Sequence, residues 1–258
     1  EWMPITVFEN SNGKLVDATA KYFDKKYAGW WNCLQVSDIN HDGHPDIIAG
    51  NLGLNSQCKA SDKEPAEMYY KDFDDNGSVD PILCFYIQHK SYPAVTRDEL
   101  LDQISMMRPR FPDYKSYADA TINQVFTPAE MQGAKVLSAN FLSTACFISN
   151  KQGKYQQINL PIQVQYSPVF TITSLDYNHD GNIDLLLCGN INHARIHFGK
   201  YDANYGMLLK GDGKGNFTYV DQQQSGFKLT GDVRSVLKIN ESLLFGLNGN
   251  GVLAYKSQ

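Results

Sequence analysis

The chain has 258 residues, 42% of them hydrophobic and 12% aromatic, with a formal net charge of −5. That is enough for one sizeable core in a β-rich globular protein, and it carries no basic patch suited to a nucleic acid. No apolar run approaches the roughly eighteen residues that a membrane-spanning helix needs, and the chain begins at Glu1 rather than Met, as a processed protein or a piece of a longer one would.

The first predicted element is a hairpin, Val7-Phe-Glu-Asn-Ser-Asn-Gly-Lys-Leu-Val16. Its Asn-Gly tip tolerates positive φ and favours a tight turn. Gly29-Trp30-Trp31 follows, as a sugar-stacking platform or as plugs in the core. The strand-like run Cys33-Leu-Gln-Val36 then enters the first of three acidic segments. These are Asp38-Ile-Asn-His-Asp-Gly-His-Pro-Asp46, Asp72-Phe-Asp-Asp-Asn-Gly-Ser-Val-Asp80 and Asp176-Tyr-Asn-His-Asp-Gly-Asn-Ile-Asp184.

Each segment reads D-x-[DN]-x-[DN]-G-x-x-D. Oxygen side chains stand at positions 1, 3, 5 and 9, and the Gly at position 6 permits the sharp turn. Alternate residues of a tight loop can point inward to supply the six to eight oxygens that Ca²⁺ takes, with position 7 adding a backbone carbonyl. Carboxylates crowded around one turn repel each other unless a cation lies between them. An EF-hand needs a bidentate Glu at position 12, but here that position holds Ala49, Leu83 and Leu187. Apolar, strand-like runs flank each segment, which makes it the turn of a β-hairpin.

A second element alternates with these loops. It is a Gly-tip hairpin, seen at Val7–Val16, again at Phe147-Ile-Ser-Asn-Lys-Gln-Gly-Lys-Tyr155, at Leu208-Leu-Lys-Gly-Asp-Gly-Lys-Gly-Asn-Phe217, and in degenerate form at Leu247-Asn-Gly-Asn-Gly-Val-Leu253. A repeated pair of hairpins points to an all-β repeat array such as a β-propeller of four-stranded blades. The clearest unit spans residues 169–220. A second is expected over 31–92, through both the first and second acidic loops, and a less regular third over 135–160. Residues 233–255 have inner-strand character, and the N-terminal hairpin at 5–18 is expected to complete that last unit. The count is about sixteen strands, or roughly four blades in a single domain. The alternative is an arc of a larger propeller.

Residues 96–133 break the pattern as a helical insertion. Thr96-Arg-Asp-Glu99 is a capping box leading into Leu100, Leu101, Ile104 and Met107 at helical spacing. Residues 114–125 are expected to form a second helix, and Thr127-Pro-Ala-Glu130 opens a third with Pro at its first position. The insertion is either a packed lid or a binding surface carrying Arg108, Arg110, Tyr114, Lys115 and Tyr117.

Of the five cysteines, Cys33, Cys84, Cys146 and Cys188 lie in apolar strand-like runs and read as small buried hydrophobes; Cys58 is in a loop, and no spacing fits zinc. His193 and His197 have the spacing of two zinc ligands on a helix but lack the Glu of that motif. His41 and His179 occupy the same loop position, expected to point outward. No nucleophile elbow, P-loop or dinucleotide fingerprint is present.

With these loops and tips, the chain resembles the FG-GAP/VCBS repeat family of integrin-α-like calcium propellers. It is most similar to Bacteroidetes surface proteins that resemble cartilage acidic protein, through Gly50-Asn-Leu-Gly-Leu-Asn-Ser56, Ser91-Tyr-Pro-Ala-Val-Thr-Arg-Asp-Glu-Leu-Leu-Asp102 and Leu208-Leu-Lys-Gly-Asp-Gly-Lys-Gly215. The resemblance implies an extracellular or outer-membrane-surface propeller that binds proteins or glycans, at its blade loops or the helical insertion. It implies up to three Ca²⁺ sites. The side-chain ligands would be Asp38, Asn40, Asp42 and Asp46; Asp72, Asp74, Asn76 and Asp80; and Asp176, Asn178, Asp180 and Asp184. His44, Ser78 and Asn182 would add carbonyls. Family propellers are usually longer, often with seven blades. The expected function is therefore a non-enzymatic, calcium-stabilised binding module. The alternatives are a calcium-assisted polysaccharide lyase using Arg108, Arg110, Tyr114 or Lys115, and a structural spacer.

Overall fold

The computed structural model describes residues 1–195 and 198–256. The N-terminal strand β1 (Met3–Pro4) is followed by the hairpin β2 (Phe8–Ser11) and β3 (Lys14–Asp17), by a one-turn helix α1 (Thr19–Tyr22), and by β4 (Ala28–Gly29), which pairs back with β1. The first acidic loop joins β5 (Cys33–Ser37) to β6 (Asp46–Gly50), and the second joins β7 (Ala66–Lys71) to β8 (Asp80–Ile87). Next come β9 (Lys90–Pro93), the helices α2 (Arg97–Gln103), α3 (Tyr114–Ala118), α4 (Ile122–Val125) and α5 (Pro128–Met131), then β10 (Lys135–Ala139). The hairpin β11 (Ala145–Ser149) and β12 (Tyr155–Ile158) follows. The third acidic loop joins β13 (Val169–Leu175) to β14 (Asp184–Gly189). The chain ends with β15 (Met207–Gly211), β16 (Phe217–Val220), α6 (Gln222–Ser225), β17 (Val233–Ile239), β18 (Ser242–Leu247) and β19 (Val252–Lys256).

These strands build small antiparallel sheets. Three of them stack side by side: β5-β6-β11-β12 in pairing order, then β13-β14-β15-β16, then the three-stranded β17-β18-β19. The first strand of the middle sheet, β13, lies against both β5 and β17. Strand β14 shows why the stack holds. It is an unbroken buried run whose residues alternate between two faces. Leu185 and Leu187 join Ile48 and Cys146 in the core shared with the first sheet, while Leu186 and Cys188 join Val233 and Phe245 in the core shared with the third.

All three acidic loops are hairpin turns, and all four Gly-tip segments are hairpins, as expected. The unit over 169–220 is one sheet. The other expected groupings are corrected by the pairing. The hairpin of the first acidic loop does not share a sheet with that of the second; it pairs through β6 with β11, which begins at Ala145. Nor do residues 135–160 form one unit, because β10 pairs with β7 while β11 and β12 belong to the first stacked sheet. Residues 51–144 are thus an excursion between two neighbouring strands. Its ends meet: Ala49 lies opposite Ala145, and the Asn51 N–H donates to Thr144 Oγ1 at 3.0 Å.

The excursion has its own four-stranded sheet, β10-β7-β8-β9, and its own core. Leu100, Ile104, Met107, Val125 and Phe126 from the helices pack on Phe73, Ile82 and Cys84. The capping boxes at Thr96 and Thr127 form as expected. Residues 114–125 split into α3 and α4, because Thr121 and Gln124 make a capping box of their own. The N-terminal hairpin does not complete the last sheet. Strands β2 and β3 pair only with each other among the described residues. Ile5, Phe23 and Tyr27 instead cover the outer face of the first stacked sheet, against Ile47, Ala49 and Phe147.

Candidate metal centre

The three acidic loops repeat one hydrogen-bond pattern. The carboxylate at position 1 accepts from the N–H groups of positions 5 and 6: Asp38 from Asp42 and Gly43, Asp72 from Asn76 and Gly77, and Asp176 from Asp180 and Gly181, all at 2.8–3.1 Å. The side chain at position 5 accepts from the N–H of position 7: Asp42 from His44, Asn76 from Ser78, Asp180 from Asn182. Positive φ at position 4 (His41, Asp75, His179) and at the position-6 glycines closes the turn.

The carboxylate at position 9 is buried in every loop: Asp46, Asp80 and Asp184. One oxygen accepts the N–H of position 2, from Ile39, Phe73 or Tyr177. In the two stacked sheets the other oxygen reaches the neighbouring hairpin, taking the Ser149 N–H on Asp46 and the Gly211 N–H on Asp184, both at 2.8 Å. Ser149 and Gly211 are the last residues before the equivalent Gly tips. One buried carboxylate therefore stitches each acidic hairpin to its Gly-tip partner. Burial pushes the carboxyls of Asp46 and Asp184 up, against the pull of these N–H donors. In the second loop the place of the partner N–H is taken by Gln103 Nε2 from α2, 3.3 Å from Asp80 Oδ1.

The loops differ in where their carboxylates stand and what engages them. Only in the second do carboxylate oxygens of three residues, Asp72, Asp74 and Asp80, lie within 4.8 Å of one another, among the described residues. Asp74 Oδ1 is buried there without a hydrogen-bond donor. A convergent oxygen set with one orphaned anionic atom fits a hard divalent cation. In the first and third loops position 3 is Asn, and its amide nitrogen donates to Asp42 or Asp180. In the third loop the Lys210 ammonium lies 3.2 Å from Asp180 Oδ2. The N–H of Asn182, the Asn178 amide and that lysine hold the Asp180 carboxyl down to about 2. Gln103 and Lys210 were not legible as site residues, since neither lies in the loop motif. Lys210's place in β15, just before a Gly tip, was the one signal that could have marked it; nothing local marks Gln103.

The remaining candidates are engaged elsewhere. Arg110 forms a two-point pair with Glu130 at 2.8 and 2.9 Å and reaches the Val125 carbonyl, tying α5 to the segment after α2. Tyr114 donates to Asp98, Arg97 lies over its ring, and Tyr117 donates to the Val95 carbonyl. Arg108 faces Asp102 at 3.8 Å. Trp31 stacks on Phe141 and donates to the Tyr27 carbonyl, while Trp30 meets Trp2 edge to face. Both tryptophans are therefore half-buried packing residues. All five cysteines are free; Cys58, expected in a loop, is in a loop and buried. His41 and His179 are exposed, and of the spaced pair His193 lies outside any helix and His197 outside the described residues.

No family model matches this chain, and no curated protein is detectably similar to it.

Proposed function

We propose that this chain is a non-enzymatic, calcium-stabilised binding module of a cell-surface or secreted protein, built as an arc of propeller blades. The observation that carries the reading is the convergence of Asp72, Asp74 and Asp80 around the orphaned Asp74 Oδ1, in a turn whose geometry recurs in two other hairpins. When bound, the ion would neutralise these carboxylates, with Asp72, Asp74, Asn76 and Asp80 as side-chain ligands and the Ser78 carbonyl beside them. It would hold the β7–β8 hairpin and, through Gln103, the start of the helical lid. The first and third loops offer the same positions with as many carboxylates, but those of Asp42 and Asp180 are already engaged by the Asn40 and Asn178 amides and, in the third, by Lys210. Extracellular modules work with calcium dissociation constants of about 10⁻⁴–10⁻³ M, which suits such partly neutralised loops. The blade reading draws support from the stacked sheets and from the adjacency of β5, β13 and β17.

The helices pack inward on the excursion's own sheet, so the reading assigns them a structural role. No observation favours the lyase alternative, since Arg110 and Tyr114 are held by Glu130 and Asp98. The test is thermal melting with calcium and with EDTA, beside elemental analysis of the purified protein. A ligand that binds only the folded state stabilises it by about 2.7 kcal/mol at a hundredfold excess over its dissociation constant, so the melting point should rise with calcium. Identical melts and no bound calcium would remove the reading.

A further inference from the structure

The stack of three sheets has a direction, because each sheet has a backward face toward the earlier sheet and a forward face toward the later one. On β13, Ile172 points back into the core shared with the first sheet, and Leu175 points forward into the core shared with the third. The same alternation runs through the sheets at the two ends. In the third sheet the backward face holds Val236, Leu243 and Phe245, which pack on the second sheet. Its forward face holds Leu237 and Ile239 of β17, Leu244 of β18, and Val252 and Ala254 of β19. That face is open: Leu237 is 58% exposed, Ile239 48% and Val252 68%. At the other end, the backward face of the first sheet is only half covered. Ile5, Phe23 and Tyr27 pack on Ile47, Ala49 and Phe147. Leu34 and Val36, opposite Ala49 and Ile47 on the same face, are 57% and 58% exposed along β5.

Contiguous exposed apolar strips of this kind mark an interaction surface, and the molecule itself shows what fits them. Inside the stack every forward face meets the backward face of the next sheet, first strand against first strand: β5 against β13, and β13 against β17. The two open strips lie on first strands as well, forward on β17 and backward on β5. One chain thus ends its stack in two surfaces that match each other and cannot meet within it, since the second sheet stands between them. We propose that the chain associates head to tail with a second copy of itself, β17 of one copy packing on β5 of the next as β5 packs on β13. Leu237 and Ile239 are then buried against Leu34 and Val36. A forward face on a backward face is a heterologous contact, which closes into a ring or runs on as a filament. The proposal goes beyond the calcium-stabilised module and does not depend on it.

Sedimentation velocity in calcium-containing buffer tests it, over about 1–100 μM protein. The parent should sediment as dimers or larger species whose share grows with concentration. Leu237→Lys blocks the forward strip and Leu34→Lys the backward one, because a lysine there would have to bury an unpaired charge. Both positions are exposed on edge strands, where lysine is tolerated and guards against association, so the variants should melt with the parent. A lysine variant that melts lower is replaced by the serine at the same position. Each variant alone should stay monomeric over the whole range. Mixed one to one, the two should form a dimer and nothing larger, because each keeps the strip that the other has lost. A monomeric parent, or a mixture that stays monomeric, overturns the proposal and leaves the strips to another occupant, such as a further sheet. Either variant dimerising by itself overturns the head-to-tail contact in favour of a like-to-like one.

Discussion

Within the loops, single atoms decide which turn is strongest as a cation site. Asp74 stands where the other loops have Asn40 and Asn178, and its Oδ1 has no donor, whereas the Asp42 and Asp180 carboxylates take the Asn40 and Asn178 amides. Asp74→Asn should therefore remove most of the calcium-induced rise in melting temperature, and Asp42→Asn much less; equal losses would show that the loops share the ion evenly. Lys210 lies on Asp180 as a resident cation, so Lys210→Gln should tighten calcium binding at the third loop, by about tenfold for one unit charge removed at contact distance, as read by calcium titration. A different carboxylate sets acid sensitivity. Arg110 holds Glu130 down to about 2. Its folded value lies below its unfolded one, so its contribution is present above the ordinary Glu range and is lost as pH falls toward 2. The stability gap between the parent and Glu130→Gln, measured in urea, should be widest near neutral pH and shrink on acidification through pH 4 to 2.

Among the elements, the hairpins are held by contacts that the motif hides. Asp184 is a buried stitch between the β13–β14 turn and β15. Asp184→Ala leaves the Tyr177 and Gly211 N–H groups unpaired and should cost about 3 kcal/mol in denaturant unfolding. A loss under 1 kcal/mol would mean that water replaces the carboxylate. Close backbone approach matters at the other end of β14. A Cβ on Gly189 would lie 1.7 Å from the Pro168 carbonyl oxygen. The backbone there must shift for any larger residue, so Gly189→Ala should destabilise by about 3 kcal/mol. The hairpins were legible because each needs only local chemistry: Asn-Gly or Asp-Gly tips, an Asp-Gly turn, and apolar flanks. The helix starts at Thr96 and Thr127 were legible for the same reason, through capping boxes. Residues 114–125 have the composition of one helix, and it is the Thr121–Gln124 capping box that divides them.

At the scale of the molecule, the excursion at 51–144 carries the most carboxylate-rich loop, while the stack carries the other two. Calcium should accordingly protect amides unevenly. Hydrogen exchange with and without EDTA should change most in β7, β8 and α2, and less in β13 and β14; a uniform change would contradict the ranking of the loops. Residue types and their spacing alone determined the mostly-β class, the hairpins, the helix starts and the positions whose oxygens point into each turn, because these depend on neighbours a few residues apart. They did not determine which hairpins share a sheet. β6 must find β11 across 94 intervening residues, and no local signal separates that pairing from the sequence-adjacent one; only burial of Ile48 and Cys146 against Leu185 and Leu187 decides it. The same holds for Asp74's missing donor and the lysine on Asp180. Each is a contact between segments that the order of residues leaves free and that packing of the whole chain brings together.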